Sequence, residues 1–520
     1  MSKVRTFGSK LKHFGLDAAV HYYAREKALS RYSKEPFSNA TKSDIKKAKY
    51  MAMGIDCLSV WLNTEGCTED EIRCAVESLH DQICPVTSLV VGNNSSEDIT
   101  TKYLLIMSAH DLMHPLTLAY ICDAISKASE KGYSPAIIYG DELSFSGEEY
   151  FKPDFAPDDL AYTNYIGRNI CVRADAWSEY KRDEAVFSDE EIYEFIKYVS
   201  GIKDGCYKPE VARIVHIPAV LFKTAYGVAK DIAVHKMPVL ESEPMVSIVI
   251  PSADHVEELK VCIESILEKT TYANYEILIL DNNSKEDRTF KYYDSLKNNK
   301  QINVTHIESE WNYSKINNMG VKHAKGEYLL FLNNDTEVIS ENWIEEMLRF
   351  GIREDVGAVG AKLYYPDGTI QHGGVTLGIR GVAGHAFLGA DGESGGALNR
   401  LMHPCDLSAV TAACMLVRKD IFDEINGFDE GLSVAFNDTD LCMKIRSLGY
   451  HIVWTPYATL KHFESKSRGI DEKSPEKLAR FNEESWRFQK RWIHEIIAGD
   501  PYYNPNLSLE HDDFRKKAVE

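Results

Sequence analysis

Apolar residues along this chain fall in short blocks separated by polar, turn-forming stretches. Met245–Pro251 and Tyr328–Leu332 are apolar-rich runs of strand length. Runs of this kind, alternating with helix-period segments, are the pattern of buried strands in α/β units. In the second half the pattern predicts strands at Val246–Ile250, Glu276–Leu280 and Tyr328–Leu332. A helix near Val256–Glu268 separates the first two, with Ile263, Ile266 and Leu267 on one face. Another amphipathic helix opens at Asn437-Asp438-Thr439-Asp440, with Leu441, Ile445 and Leu448 inward. An apolar run at Tyr450–Thr455 stops at Pro456, and Ser474–Ile497 reads as a helix before the irregular tail DPYYNPNLSLEHDDF.

The blocks occur twice. CIESIL followed by ILILDNNSKED (ending at Asp287) is echoed by CAVESL followed by SLVVGNNSSED (ending at Asp98). EYLLFLNNDTEV (Glu327–Val338) is echoed by KYLLIMSAHDLM (Lys102–Met113), and NDTDLCMKIRSLG (Asn437–Gly449) by SDEEIYEFIKYVSG (Ser188–Gly201). The same elements in the same order imply two tandem α/β domains. The division predicted is a helical basic arm over 1–57, a first domain over 58–230, a linker over 231–244, a second domain over 245–472, and a C-terminal helix and tail over 473–520. A chain of 520 residues is long enough for two such cores.

Composition narrows the class. With 44% hydrophobic and 11% aromatic residues the chain is a packed protein, not a disordered one. No apolar run approaches the roughly 20 residues of a membrane span, and the N-terminus has no stretch that reads as a signal peptide. The 11 cysteines lack paired metal-site spacing. Cys171, Cys262, Cys414 and Cys442 lie in apolar runs, as reduced core thiols do, which points to the cytoplasm. The net charge of −20 excludes general nucleic-acid binding. Residues 1–50 run against that balance, with 12 Lys/Arg and 4 Asp/Glu for a net +8. This arm is either a solvated helical surface or a peripheral contact to the inner face of an anionic membrane.

Candidate chemistry gathers where strands of the second half end, the place where open parallel sheets bind ligands. Asp281 follows one strand and Asn333-Asn334-Asp335 another. Either aspartate could be a turn former, or a ligand for a divalent cation that neutralises a diphosphate. Asp438 and Asp440 could cap their helix, or one could take the proton from an attacking hydroxyl. His462 is followed by Glu464, Ser465, Ser467 and Arg468, a mix suited to metal, phosphate or sugar hydroxyls. The glycine-rich stretches YYPDGTIQHGGVTLG and GVAGHAFLG add His372 and His385 on a loop that could close over a ligand.

These strings resemble glycosyltransferase family 2, with its GT-A nucleotide-sugar fold, and most of all bacterial enzymes of rhamnan, O-antigen and other surface-polysaccharide synthesis. The resemblance extends from residue 58 to the C-terminus and is dense from Met245 to Arg468. It is carried by IVIPSADHVEELKVCIESIL, ILILDNNS, NYSKINNMGVKHAKGEYLLFLNNDTEV, VGAKLYYPDGTIQHGGV, NDTDLC, HFESKSRG and DPYYNPNL. It implies an inverting hexosyl transfer, of rhamnose or another hexose, from a nucleotide-diphosphate sugar to a glycan or lipid-linked glycan. By this resemblance Asp281 contacts the nucleoside, and Asp335 and His462 hold Mn²⁺ or Mg²⁺. Asp438 is the base, Pro251, Asn312, Lys315, Asn317, Asn333, Asn334 and Arg468 line the donor site, and His372, His385, Asp440 and Glu464 belong to the acceptor or loop side. The sequence departs from the family in having one carboxylate in Asn333-Asn334-Asp335 and Asn437 where a Glu is usual.

The first half keeps the scaffold but not this chemistry. Gly92 stands for Asp281, His110 for Asp335 and Lys223-Thr224 for His462, while Asp189 parallels Asp438. It is therefore expected to bind acceptor glycan or to buttress the second half. The competing expectations are a two-site polymerase and a non-catalytic carbohydrate-binding protein. A sugar nucleotidyltransferase would need a G-x-G-T-R loop where this chain reads PSADHVEELK.

Overall fold

The computed structural model describes residues 58–84, 86–92, 101–180, 188–202, 213–224, 240, 242–463 and 474–518. The 1–57 arm and most of the 231–244 linker lie outside the described residues. The chain forms two compact units. Among the described residues, the first comprises those within 58–224 with Pro501–Leu507 and 516–518; the second comprises those within 240–500 and Ser508–Arg515.

The first unit is built on eight strands: β1 (Leu58–Asn63), β2 (Ser88–Val91), β3 (Tyr103–Ser108), β4 (Leu112–Met113), β5 (Ile137–Ser144), β6 (Glu149–Tyr150), β7 (Ile170–Arg173) and β8 (Ile214–Thr224). They pair in the order β2-β1-β3-β7-β5-β8-β4, with β6 on β5. The second unit continues with β9 (Val246–Ser252), β10 (Tyr275–Asp281), β11 (Ile302–His306), β12 (Tyr328–Leu332), β13 (Thr336–Val338), β14 (Val356–Tyr364) and β15 (Ile370–His372). There follow β16 (Val375–Leu377), β17 (Ala383–His385), β18 (Cys405–Asp406), β19 (Cys414–Arg418) and β20 (His451–His462). Its main sheet runs β11-β10-β9-β12-β19-β14-β20-β13, with β15 on β14 and β18 on β20. Apart from the added edge strands β11 and β18, the two sheets have one topology, as the sequence repeat implies.

Strands β9, β10 and β12 are buried along their whole length, which is why they read as apolar-rich runs. The sheets are mixed rather than parallel throughout, because β7 and β19 each run antiparallel to both neighbours. β20 does not stop at Pro456. Its register jumps from Ala361↔Thr455 to Lys362↔Thr459, so a bulge absorbs the proline and the strand runs on to His462. β8 has the matching irregularity after Gly140↔Ile217, around Pro218. Two helix positions differ from expectation: Leu267 and Leu448 lie in or just past a last turn and are exposed.

The tail residues of the first unit close over a buried charge cluster. Asn504 donates to both Asp141 oxygens (2.9 and 3.0 Å) and to the Lys152 carbonyl (2.8 Å). His216 lies between Asp141 and Asp154, 2.9 Å from each. Burial opposes charge on this ring, but the two carboxylates outweigh it and raise the imidazole to about 9.

Candidate active site

β12 delivers the turn Asn333-Asn334-Asp335, and β13 then turns back antiparallel to the end of β20, with Thr336 opposite His462. The Phe463 amide donates to the Asp335 carbonyl at 2.9 Å. This register brings Asp335 Oδ1 to 3.3 Å from His462 Nε2 although the residues are 127 positions apart. Asn333 Nδ2 lies 3.2 Å from the same ring nitrogen. His462 is 5% exposed and its Nδ1 is a buried polar atom without a hydrogen-bond partner. Beneath the turn sits Cys262, 3.5 Å from Thr336 Oγ1. Burial pushes its thiol up to about 12, so it packs as a neutral group.

The turn forms one wall of a cavity of about 270 Å³ with Pro251, Asn333, Asn334 and Asp335 in its lining. His255, Trp311, Tyr313, Lys477 and Arg480 also line it and were not foreseen. Lys477 and Arg480 are three positions apart near the start of the helix Pro475–Arg491, which Ser474 caps. Asp254 and His255 are consecutive non-glycine residues at φ +52° and +51°. The Asp254 carboxylate anchors that strained corner by accepting from the Lys285 and Glu286 amides at 3.0 and 2.9 Å.

Other expected donor residues lie elsewhere. Asp281 is buried and accepts from His306 (2.8 Å), Tyr293 (3.3 Å) and the Ser284 amide (3.3 Å). Asn312 caps the helix Tyr313–Val321 through the Lys315 amide, Lys315 is exposed, and Asn317 is buried with its amide on the Tyr313 carbonyl. None of these three lines the cavity: packing turns Asn317 inward, and Trp311 and Tyr313 supply the wall instead. Arg468 and Glu464 lie outside the described residues.

The two acids of NDTD have different fates. Neither caps the helix Asn437–Ser447, whose N-cap is Phe436 at φ +60°. Asp440 is buried under Arg491 (2.7 and 2.8 Å) and Trp492 Nε1 (2.8 Å), where it anchors the C-terminal helix. Asp438 is half-buried and accepts from the Ala412 amide at 3.3 Å and the Thr439 amide at 2.7 Å. Three consecutive residues before β19 tie the parts together. Thr411 donates to His372 Nε2 (3.3 Å), Ala412 to Asp438, and Ala413 accepts from the Asn333 amide (3.1 Å).

Residues 247–425, which carry the turn, the cavity's β9 wall and this strand end, match the model Glycosyl transferase family 2. This segment is a family 2 glycosyltransferase domain. The chain is 36% identical over 469 residues to the uncharacterized protein y4gI of Sinorhizobium fredii, covering 81% of this chain and 50% of that protein. It is 29% identical over 450 residues to the O-antigen biosynthesis protein RfbC of Myxococcus xanthus, covering 78% and 34%. The chain therefore spans half or less of the length of these relatives. A solved structure of GalNAc-T7 with UDP, GalNAc and Mn²⁺ overlaps 52% of this chain and 54% of its own at 16% identity and a TM-score of 0.40, too distant to bear on this chain's chemistry.

Register allows the first unit to be read against the glycosyltransferase domain position by position. β4 and β8 set Leu112 opposite Lys223, as β13 and β20 set Glu337 opposite Lys461. His110 therefore holds the place of Asp335, Thr224 that of His462, and Asp111 that of Thr336. Gly92 falls level with Leu280, one step short of the Asp281 position that the sequence match gave it. Arg168, at the register of Ala413, grips Asp111 with two 2.9 Å bonds and reaches Asp189 at 3.3 Å. His110 meets Glu71 at 3.0 Å instead of a second metal donor.

Proposed function

We propose that the glycosyltransferase domain transfers a hexose, with inversion, from a nucleotide-diphosphate sugar to a glycan or lipid-linked glycan acceptor in surface-polysaccharide synthesis. The observation that carries this reading is the Asp335–His462 pair at 3.3 Å, whose aspartate lines a cavity that also holds Lys477 and Arg480. One carboxylate oxygen and one imidazole nitrogen, with a buried Nδ1 behind, suit Mn²⁺ or Mg²⁺. Among the described residues no set of three or more His, Cys, Asp or Glu gathers to hold a metal, so the pair leaves coordination positions for water or substrate oxygens. When bound, the ion supplies positive charge to the departing diphosphate.

The chain's own groups account for the rest. Asp438 takes the proton of an acceptor hydroxyl, whose oxygen bonds to the anomeric carbon as the bond from that carbon to the diphosphate oxygen breaks. The nucleoside diphosphate leaves with the electron pair. The amides of Ala412 and Thr439 keep the Asp438 carboxylate oriented, and Lys477 and Arg480 face the anionic leaving group. The relative named for O-antigen biosynthesis supports the choice of polysaccharide synthesis. The first unit, with Arg168 between its acids, serves as scaffold or acceptor platform rather than as a second transfer site. The site of action is the cytoplasm, at the membrane face if the basic 1–57 arm contacts lipid; among the described residues no helix is long and apolar enough to cross a membrane.

A donor screen tests this reading. Thermal shift and nucleotide release are read for each nucleotide sugar with Mn²⁺ or Mg²⁺. Stabilisation by one nucleotide that disappears in Asp335→Ala is expected; stabilisation that survives in that variant would reject the assignment.

A further inference from the structure

His372 and His385, expected on the acceptor side, meet each other instead, Nδ1 to Nδ1 at 3.0 Å, and neither is in the lining of the cavity beside Asp335. The stretch that reaches both the cavity and the base is 433–438. Val434 lines the cavity, and Phe436 caps the helix that carries Asp438 in its first turn. What holds this stretch is Glu484, a residue the transfer step above does not use.

Glu484 lies midway along the helix Pro475–Arg491 and is 2% exposed. Its Oε1 accepts from the Ser433 amide (2.8 Å), the Ser433 hydroxyl and the Val434 amide (3.1 Å), and its Oε2 from the Ala435 amide (2.8 Å). Consecutive amides aimed at one point form a concavity that an anion fills. Here the chain fills it with its own carboxylate. Residues 433–435 belong to no helix or strand, so these bonds do for their amides what a ladder does elsewhere.

The residue that follows is strained. Phe436 stands at φ +60°, left-handed backbone that a phenylalanine keeps only where its surroundings impose it. The ring of Phe488 stacks on it, with centroids 5.4 Å apart and planes at 21°, and that of Phe481 packs beside it at 5.5 Å. Phe481, Glu484 and Phe488 are spaced three and four apart, so one face of the helix holds all of 433–436. The far side is fixed as well. The Ser433 carbonyl accepts from the Tyr313 amide at 2.9 Å, and the Tyr313 hydroxyl donates to the Ala412 carbonyl at 3.1 Å. The amide of that same Ala412 holds Asp438. Without the clamp, the left-handed residue would relax to ordinary backbone and swing the first turn, with Asp438, off the Ala412 amide. The helix that carries Glu484 also carries Lys477 and Arg480, so one element sets both the leaving-group wall and the base.

We propose that Glu484 is a positioning residue for the base: its carboxylate pins the amides of Ser433, Val434 and Ala435, imposes the left-handed turn at Phe436 and so aims Asp438 at the acceptor hydroxyl. It touches no substrate itself. This rests on the reading of Asp438 as the base.

Two measurements test it on the full chain. Hydrogen exchange read by mass spectrometry is expected to show the 433–435 amides protected in the unaltered chain and unprotected in Glu484→Ala; equal protection in both overturns the clamp, whether or not the chain transfers sugar. The second is steady-state transfer. Glu484→Ala is expected to lower kcat roughly 10–10²-fold, the cost of a misplaced catalytic group, with the donor KM within about twofold. Glu484→Gln keeps an oxygen for Ser433 and Val434 but turns an NH₂ to Ala435, so its kcat should fall between the two; it carries the same comparisons if Glu484→Ala does not fold. Added to Asp438→Asn, either change should cost no further turnover, because it acts through that carboxylate. Arg487→Ala removes a bond to Asp429 from the same helix without touching 433–435, and should leave kcat within about twofold. Equal losses with and without Asp438→Asn, or a loss in Arg487→Ala as large as in Glu484→Ala, would reduce Glu484 to a structural anchor and overturn the proposal. Near-normal turnover in Asp438→Asn alone would instead reject the base, and with it the positioning role, while the exchange result would still report the clamp.

Discussion

The two sheets share strand order, strand direction and even the bulge that lets a proline into the last long strand, yet their strand ends hold opposite kinds of charge. In the second, Asp335 faces His462, a donor pair that an external cation would complete. In the first, the guanidinium of Arg168 lies between Asp111 and Asp189, a positive charge built into the chain. A scaffold whose strand ends converge on one point can meet the charge of its acids from inside or from outside. Only the second solution leaves attractive charge for a diphosphate. The contrast turns on single positions: Ala413 against Arg168, Thr336 against Asp111, His462 against Thr224.

The largest effect is expected at the base. Asp438→Asn should retain nucleotide-sugar binding and lose turnover by roughly 10²–10⁴-fold, the share a positioned base supplies. Single-turnover kinetics with bound donor measure it, and turnover near that of the unaltered chain would remove Asp438 from the mechanism. Next comes the built-in cation. Arg168→Ala removes the counter-charge of the fully buried Asp111, leaving the Asn169 amide on it, and should destabilise the first unit by about 3–5 kcal/mol, with most of that recovered in Arg168→Ala/Asp111→Ala. Denaturant melts report it; a double variant no better than the single would show that Arg168 acts through packing.

A smaller, pH-dependent effect belongs to the first unit alone. The folded-state value of His216, about 9, is above the roughly 6.5 of a free imidazole. Its contribution is therefore complete below about pH 6.5 and is lost as pH rises through about 9. Melting of the first unit should fall over that window, and His216→Gln should flatten the decline. At the bottom of the scale, Lys315→Ala should change kcat/KM less than about twofold, since its side chain is exposed and its amide, not its ammonium, makes the helix cap.

Much of this architecture was legible in the chain. Strands buried on both faces are rich in apolar residues, so β9, β10 and β12 were readable, and the repeat exposed the second sheet. Asp335 and His462 were linked only through resemblance, because their meeting depends on how β13 pairs with β20 across more than a hundred residues. Asp438 and Asp440 look alike in sequence; Arg491 and Trp492, some fifty positions later, decide that Asp440 is structural. Lys477 and Arg480 sit on a helix whose sequence has no marker for a binding wall. Pro456 read as a strand end because a bulge has no signature in hydrophobic periodicity.

The account stands on the claim that Asp335 and His462 together hold a divalent cation and that the first sheet holds none. Mn²⁺ titration of the full chain, followed by electron paramagnetic resonance, addresses it directly. One bound ion is predicted, lost in both Asp335→Ala and His462→Ala and retained in Arg168→Ala/Asp111→Ala. Binding that persists in Asp335→Ala and His462→Ala, or a second equivalent that vanishes when the first sheet is altered, would contradict it.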